Sequence, residues 1–353
     1  MSFRLGAAVV MVRSGGALPA SRARMIVANA ACALAPTVRI GWAAWLLPRE
    51  PRLTLKLSTP QLFGICVVIW GSTWYAITLQ LGSVAPEISV GYRFLLASVV
   101  LFAVCRARGV RLYFGARQHA DFALLGLSMF GLGYILVYHA ETYVVSGLVA
   151  VGYSASPMLN MVGARVLFGT PMTARVAFAG LLGVAGICCV FWPALGSVSG
   201  SPGAWAGALL TAASVLMSSG GSMAAMRCQR RGYSIWASMS WGMLYGGVLS
   251  IAIGLGIGKE LAFPATASYA LSLVYLAVLG SIVTFACYLT LIARIGAARA
   301  AYVGVAVPIV ALLVSSVLES FNWSLLTVLG VLLSTAGNWL ILQPVSPRAQ
   351  TGA

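Results

Sequence analysis

Side chains able to do chemistry are scarce in this sequence and stand mostly at the ends of long apolar runs. Six carboxylates (Glu50, Glu87, Asp121, Glu141, Glu260 and Glu319) and two histidines (His119 and His139) are spread through 353 residues. Arg93 is the exception. It lies between one and two turns inside an apolar run, at roughly 3.6 residues per turn, where a charge is costly enough to mark a functional candidate. Glu141 and His139 close the following run at the same end, so Glu141 is the expected partner of Arg93, and Glu319 closes a later run. Two readings of Arg93 stand. It is a structural pair or a snorkelling residue that fixes helix depth, or it attracts an anionic substrate group and, with Glu141 and Glu319, forms an outer gate.

Neutral groups offer a second kind of chemistry, because binding pockets combine apolar walls with a few placed polar atoms. The candidates are Trp70, Thr73, Trp74, Tyr134, Tyr138, Tyr153, Asn160, Trp236, Ser240, Tyr245 and Tyr288. Tryptophan and tyrosine also anchor helix ends at a membrane interface, so the stronger ones are those well inside their runs: Trp74, Tyr153, Asn160, Tyr245 and Tyr288. Tyr138 joins them as a binding candidate beside Arg93. The seven cysteines lie mostly in apolar runs without a CxxC spacing near histidine, which makes them small packing residues and leaves no expected metal site. No cofactor is expected either.

The elements that must position these groups are legible in the composition. Hydrophobic residues make up 60% of the chain and charged ones only 8%, against about 25% charged in an ordinary soluble domain. Ten runs are long enough for the ~20 residues of helix that cross a bilayer. They fall near 61–81, 88–105, 121–141, 146–167, 173–193, 203–226, 234–256, 268–292, 298–318 and 324–343. Basic residues occupy the leader and alternate loops (Arg106 to Arg117, Arg227 to Arg231, Arg294 and Arg299), while the opposite loops share Lys259 alone. That bias keeps Lys and Arg in the cytoplasm, so both termini are expected there, and the net charge of +16 is a topology signal with no nucleic acid partner implied.

Residues 1–60 stand apart as a basic extension, disordered or interfacial. Their apolar stretch 25–47 contains Pro36 and Arg39, and inserting it would move four arginines outside. A targeting leader and upstream translated sequence are the other readings. Residues 344–353 form a short tail.

Pro157 and Pro308 are 151 residues apart, as are Gly186 and Gly337, with Ser154-Ala155-Ser156 and Val305-Ala306-Val307 before the prolines. Five spans per half makes such a duplication an inverted repeat, a plan that places the site near the midplane between halves. Together with Trp70-Gly71-Ser72-Thr73-Trp74, with Pro86 seven residues before Arg93-Phe94, and with Glu319, the sequence resembles the EamA-like family of the drug/metabolite transporter superfamily over about 61–343. The family's acid after the first proline-bearing span is missing here, where Phe168-Gly169-Thr170 stands. The resemblance implies an all-α membrane protein with repeats at 61–193 and 203–343, and an inner-membrane carrier exporting a small polar or amphipathic metabolite by alternating access. No carboxylate reaches the middle of a span, so coupling is expected at a rim acid such as Glu319, by exchange, or not at all. A membrane receptor or scaffold is the first alternative. An intramembrane enzyme is weaker, since no HExxH pair or activated nucleophile is visible. The small-residue stripes at Gly203 to Gly207 and at Gly180, Gly183 and Gly186 suit helix packing within one bundle, and a homodimer stays open.

Overall fold

A computed structural model describes residues 57–169, 173–196, 202–295 and 303–342. The basic leader and the C-terminal tail lie outside these, except for residues 57–60. The described regular elements are all helical. In chain order they are α1 (Thr59–Thr78), α2 (Pro86–Ala107), α3 (Ala116–Ala140), α4 (Ser146–Gly152, Tyr153–Ala155 and Ser156–Phe168), α5 (Ala174–Gly196) and α6 (Pro202–Arg230). After them come α7 (Ile235–Gly256), α8 (Ala267–Val274, Tyr275–Val283 and Thr284–Ile295), α9 (Val303–Leu318) and α10 (Leu325–Leu342). Seven helices among the described residues are long and apolar enough to cross a membrane: α1, α2, α3, α5, α6, α7 and α8. Helices α9 and α10 are shorter apolar segments, and α4 is interrupted.

The interruptions have local causes. Pro157 has no N–H to return to Tyr153, so the chain tightens to a 3-10 turn over Tyr153–Ala155 and the Ser156 N–H bonds the Tyr153 carbonyl instead. Helices α3 and α8 widen to π geometry over Gly126–Leu132 and Tyr275–Val283. In α8 the hydroxyls of Ser281 and Thr284 donate back to the Leu276 and Leu279 carbonyls at 3.0 and 2.6 Å.

Packing follows small residues. The main neighbours of α1 are α8 and α9, while α2 lies on α7, α3 and α4 lie on α6, and α5 packs most extensively on α10. At the last contact a Cβ on Gly186 would come within 2.5 Å of the Gly330 carbonyl, and one on Gly337 equally close to the Ala179 carbonyl. Only glycine lets these backbones approach so far. Gly180 meets Met158 and Gly207 meets Val144, so these glycines serve contacts inside the bundle.

The polar residues divide by end. Asp121 is buried and pairs with the Arg227 Nε at 3.1 Å and with Arg231, which ties α3 to the end of α6. At the other end Glu87 meets His139 Nε2 at 2.6 Å, and Glu141 caps α3.

Candidate functional site

The cavity between the helices forms where α4 is broken. It measures about 450 Å³ and is walled by α1, α2, α3, α4, α6, α8 and α9, within the range of small-molecule sites. Pro157 and Pro308 both face it, with Gly304 and Val307 beside the second. Aromatic rings supply a third of the lining residues. Trp70 packs on Tyr288 with centroids 5.3 Å apart and donates its indole N–H to the Gly280 carbonyl at 3.1 Å, within the widened part of α8. Trp74 packs on Tyr153 at 5.0 Å. The Tyr153 hydroxyl shares a 2.9 Å hydrogen bond with Ser218, and Asn160 Oδ1 accepts from Ser219 at 2.6 Å.

Arg93 is the charged group in this wall. Its side chain is only 2% exposed, yet its Nε and Nη1 have no hydrogen-bond partner. The guanidinium carbon lies 4.6 Å from the Tyr134 ring centroid and 5.1 Å from that of Phe94. Cation–π contact of this kind is worth on the order of 0.5 to 2 kcal/mol, which steadies the cation without using its N–H groups. Gly280 keeps the space open from α8, since a Cβ there would press on Thr73 at 2.7 Å and approach Arg93 Nη2 at 3.8 Å. A buried guanidinium with idle donors is expensive unless something accepts from them. A carboxylate oxygen can accept from such a donor.

Eight of the residues singled out from the sequence (Trp70, Thr73, Trp74, Arg93, Tyr134, Tyr153, Asn160 and Tyr288) line this cavity. Tyr138 does not. It is fully buried, and its hydroxyl donates to Gln80 Oε1 at 2.9 Å. Tyr245 does not either, because α7 lies behind α2 and α3, and its hydroxyl meets His119 Nδ1 at 2.8 Å beside Trp241.

The expected Arg93 to Glu141 ion pair is absent. Both oxygens of Glu141 are buried without a hydrogen-bond partner, and no salt bridge joins them to Arg93. The partner of an acid at that end is instead His139, which holds Glu87. Glu319 does something different again, for it accepts from the Ser146 N–H at 3.1 Å and from the hydroxyls of Ser146 and Ser315, both at 2.5 Å. The Ser146 donors stand at the N-terminus of α4, where the helix dipole favours an anion. Glu319 thereby clamps α4 to α9, and the Gly147 N–H adds a bond to Ser315 Oγ at 2.9 Å.

Sequence reading missed Gln80, Glu87 as the histidine's partner, and the serines of α6. The run Ser218-Ser219-Gly220-Gly221-Ser222 carries a usable signal, three hydroxyls in an apolar helix, that points to a polar patch on one face.

The EamA-like transporter family profile matches this chain twice, over residues 60–192 and 205–343. The uncharacterized inner membrane transporter YedA of Escherichia coli K12 is 29% identical over 296 residues, covering 79% of this chain and 90% of that protein. Protein PagO of Salmonella typhimurium LT2 is 29% identical over 126 residues, covering 36% of this chain and 41% of its own. A solved crystal structure aligns with a TM-score of 0.58 at 18% identity, over 80% of this chain and 95% of that one, a likeness of fold alone. With apolar helices that suit repeated membrane crossing, a cavity between them and a family profile that accounts for both halves, this chain belongs to the EamA-like transporter family of the drug/metabolite transporter superfamily.

Proposed function

We propose that this transporter is an inner-membrane carrier of ten helices in two inverted five-helix repeats, 61–193 and 203–343. It moves a small amphipathic metabolite with an anionic group, outward, by exposing the central cavity to each side in turn. The duplication is supported by the two separate family matches and by π segments in both α3 and α8. Pro157 and Pro308 meeting at one cavity fit a site at the repeat interface. The outward direction rests on the family resemblance. Cytoplasmic termini rest on the charge bias of the loops.

The observation that carries the substrate class is Arg93, buried in an aromatic-walled cavity with two idle nitrogens. The rings suit an apolar body and the guanidinium suits one carboxylate. Purified protein in proteoliposomes should move labelled aromatic or branched monocarboxylates saturably, faster than their amide counterparts. Equal rates for acid and amide would overturn the anionic reading, and no movement above protein-free vesicles would overturn the carrier of such compounds.

A further inference from the structure

At the end of α3 that carries His139, paired there with Glu87, lies a carboxyl group that the transport cycle above does not use. Glu141 is 7% exposed, and neither oxygen has a donor. Its surroundings treat it differently from its neighbour. Glu319 is satisfied by three donors, two of them at a helix N-terminus. Glu141 has burial and a second carboxyl nearby, both of which favour the neutral acid. The groups acting on it are Glu319 from the end of α9, Arg93 from α2, Tyr138 from α3 and Tyr153 from α4, with the Glu87 to His139 pair closing the same end. Burial and Glu319 hold the Glu141 carboxyl well above the usual carboxylate range, and Arg93 pulls the other way.

We infer that Glu141 is a proton-binding site linked to the anion site at Arg93, so that one guanidinium serves two anions in alternation. With Glu141 protonated, Arg93 is free for the substrate carboxylate. When Glu141 releases its proton to water, the new carboxylate draws on Arg93, the cation that acts on it, and competes with the substrate. Where Glu141 is ionised in the empty protein, anion binding therefore takes up a proton from solvent and the loaded site gains no net charge; where it is already protonated, binding takes up none. This rests on the anionic reading of the cavity given above. By reciprocity, the proton strengthens anion binding as much as the anion strengthens proton binding.

The test is calorimetric titration of the purified full chain with benzoate, in phosphate and in Tris buffer, across neutral and alkaline pH. The heat difference between buffers measures the protons taken up. We expect uptake to rise from none to about one proton per benzoate as Glu141 ionises in the empty protein, with an affinity that falls about tenfold per pH unit above that point. Glu141→Gln should hold the tight affinity at every pH and take up none. Glu141→Asp should keep the uptake but move its midpoint, which covers the case in which the amide fails to fold. Benzoate binding without uptake at any pH, or with uptake that survives in Glu141→Gln or keeps its midpoint in Glu141→Asp, overturns the linkage and leaves the anion site standing. No benzoate binding at any pH removes both.

Discussion

Arg93 is the charged side chain in the wall of the cavity. Its neighbours Tyr134 and Phe94 present ring faces, so the donors stay available to a ligand. Arg93→Lys keeps the charge but replaces the planar fork with a point charge. It should lower monocarboxylate transport by tenfold or more, since a mismatched charge-assisted pair costs on the order of 1.5 to 3 kcal/mol, while amount and melting temperature stay near normal. A loss of folded protein with unchanged transport per molecule would return Arg93 to a depth-fixing role. The rarity of a charge within an apolar run made Arg93 legible in the sequence, and aromatic type and depth made Trp74, Tyr153 and Tyr288 legible. Its partner was not. Linear distance from a helix end placed Glu141 beside it, whereas packing of α3 against α2 brought His139 to Glu87 and left Glu141 unpaired. Hydropathy carries no information on which rotation of a helix meets its neighbour.

At the scale of the element, the apolar runs agreed with the helices to within a few residues at most ends, because bilayer thickness and helix rise fix the length. The breaks were only half visible. Pro157 announced the 3-10 turn of α4, but the π segments of α3 and α8 leave little mark on an apolar pattern that is hydrophobic on every face. Small-residue stripes located the α5 to α10 contact without saying which helix lay opposite. There Gly186→Val would drive a side chain into the Gly330 backbone. It should cost roughly 1 to 3 kcal/mol of overpacking, seen as a lower melting temperature, with anion affinity of the surviving protein unchanged. Gly183→Ala meets nothing within 4 Å of its new Cβ and should be neutral by the same assay.

For the molecule as a whole, reporter fusions after Arg117 and Arg231 should read as cytoplasmic, and fusions near Pro264 as external. A reversal at either side would undo the proposed orientation. Helix α4 shows a further asymmetry. Its first turns, Ser146–Gly152, are buried throughout, while in Ser156–Phe168 only Ala164 is buried. The buried end is the one that Glu319 secures. Spin labels at the exposed positions Thr142 and Asn322 should therefore give one short distance in the native chain. Ser315→Ala should add a longer one as that end loosens.

The clamp made by Glu319 has no counterpart at the matching place in the first half, where Phe168 stands. Under the alternating access proposed above, the two halves would differ in this clamp, and the idle molecule would favour the posture in which the clamp is shut. Each ~1.4 kcal/mol of such preference shifts the idle population about tenfold. A ligand arriving from the disfavoured side meets few receptive molecules, and its apparent affinity is diluted by that fraction. The same cavity would then look tight from one face of the membrane and weak from the other, giving net flow a preferred sense under equal driving force only through kinetics, never at equilibrium.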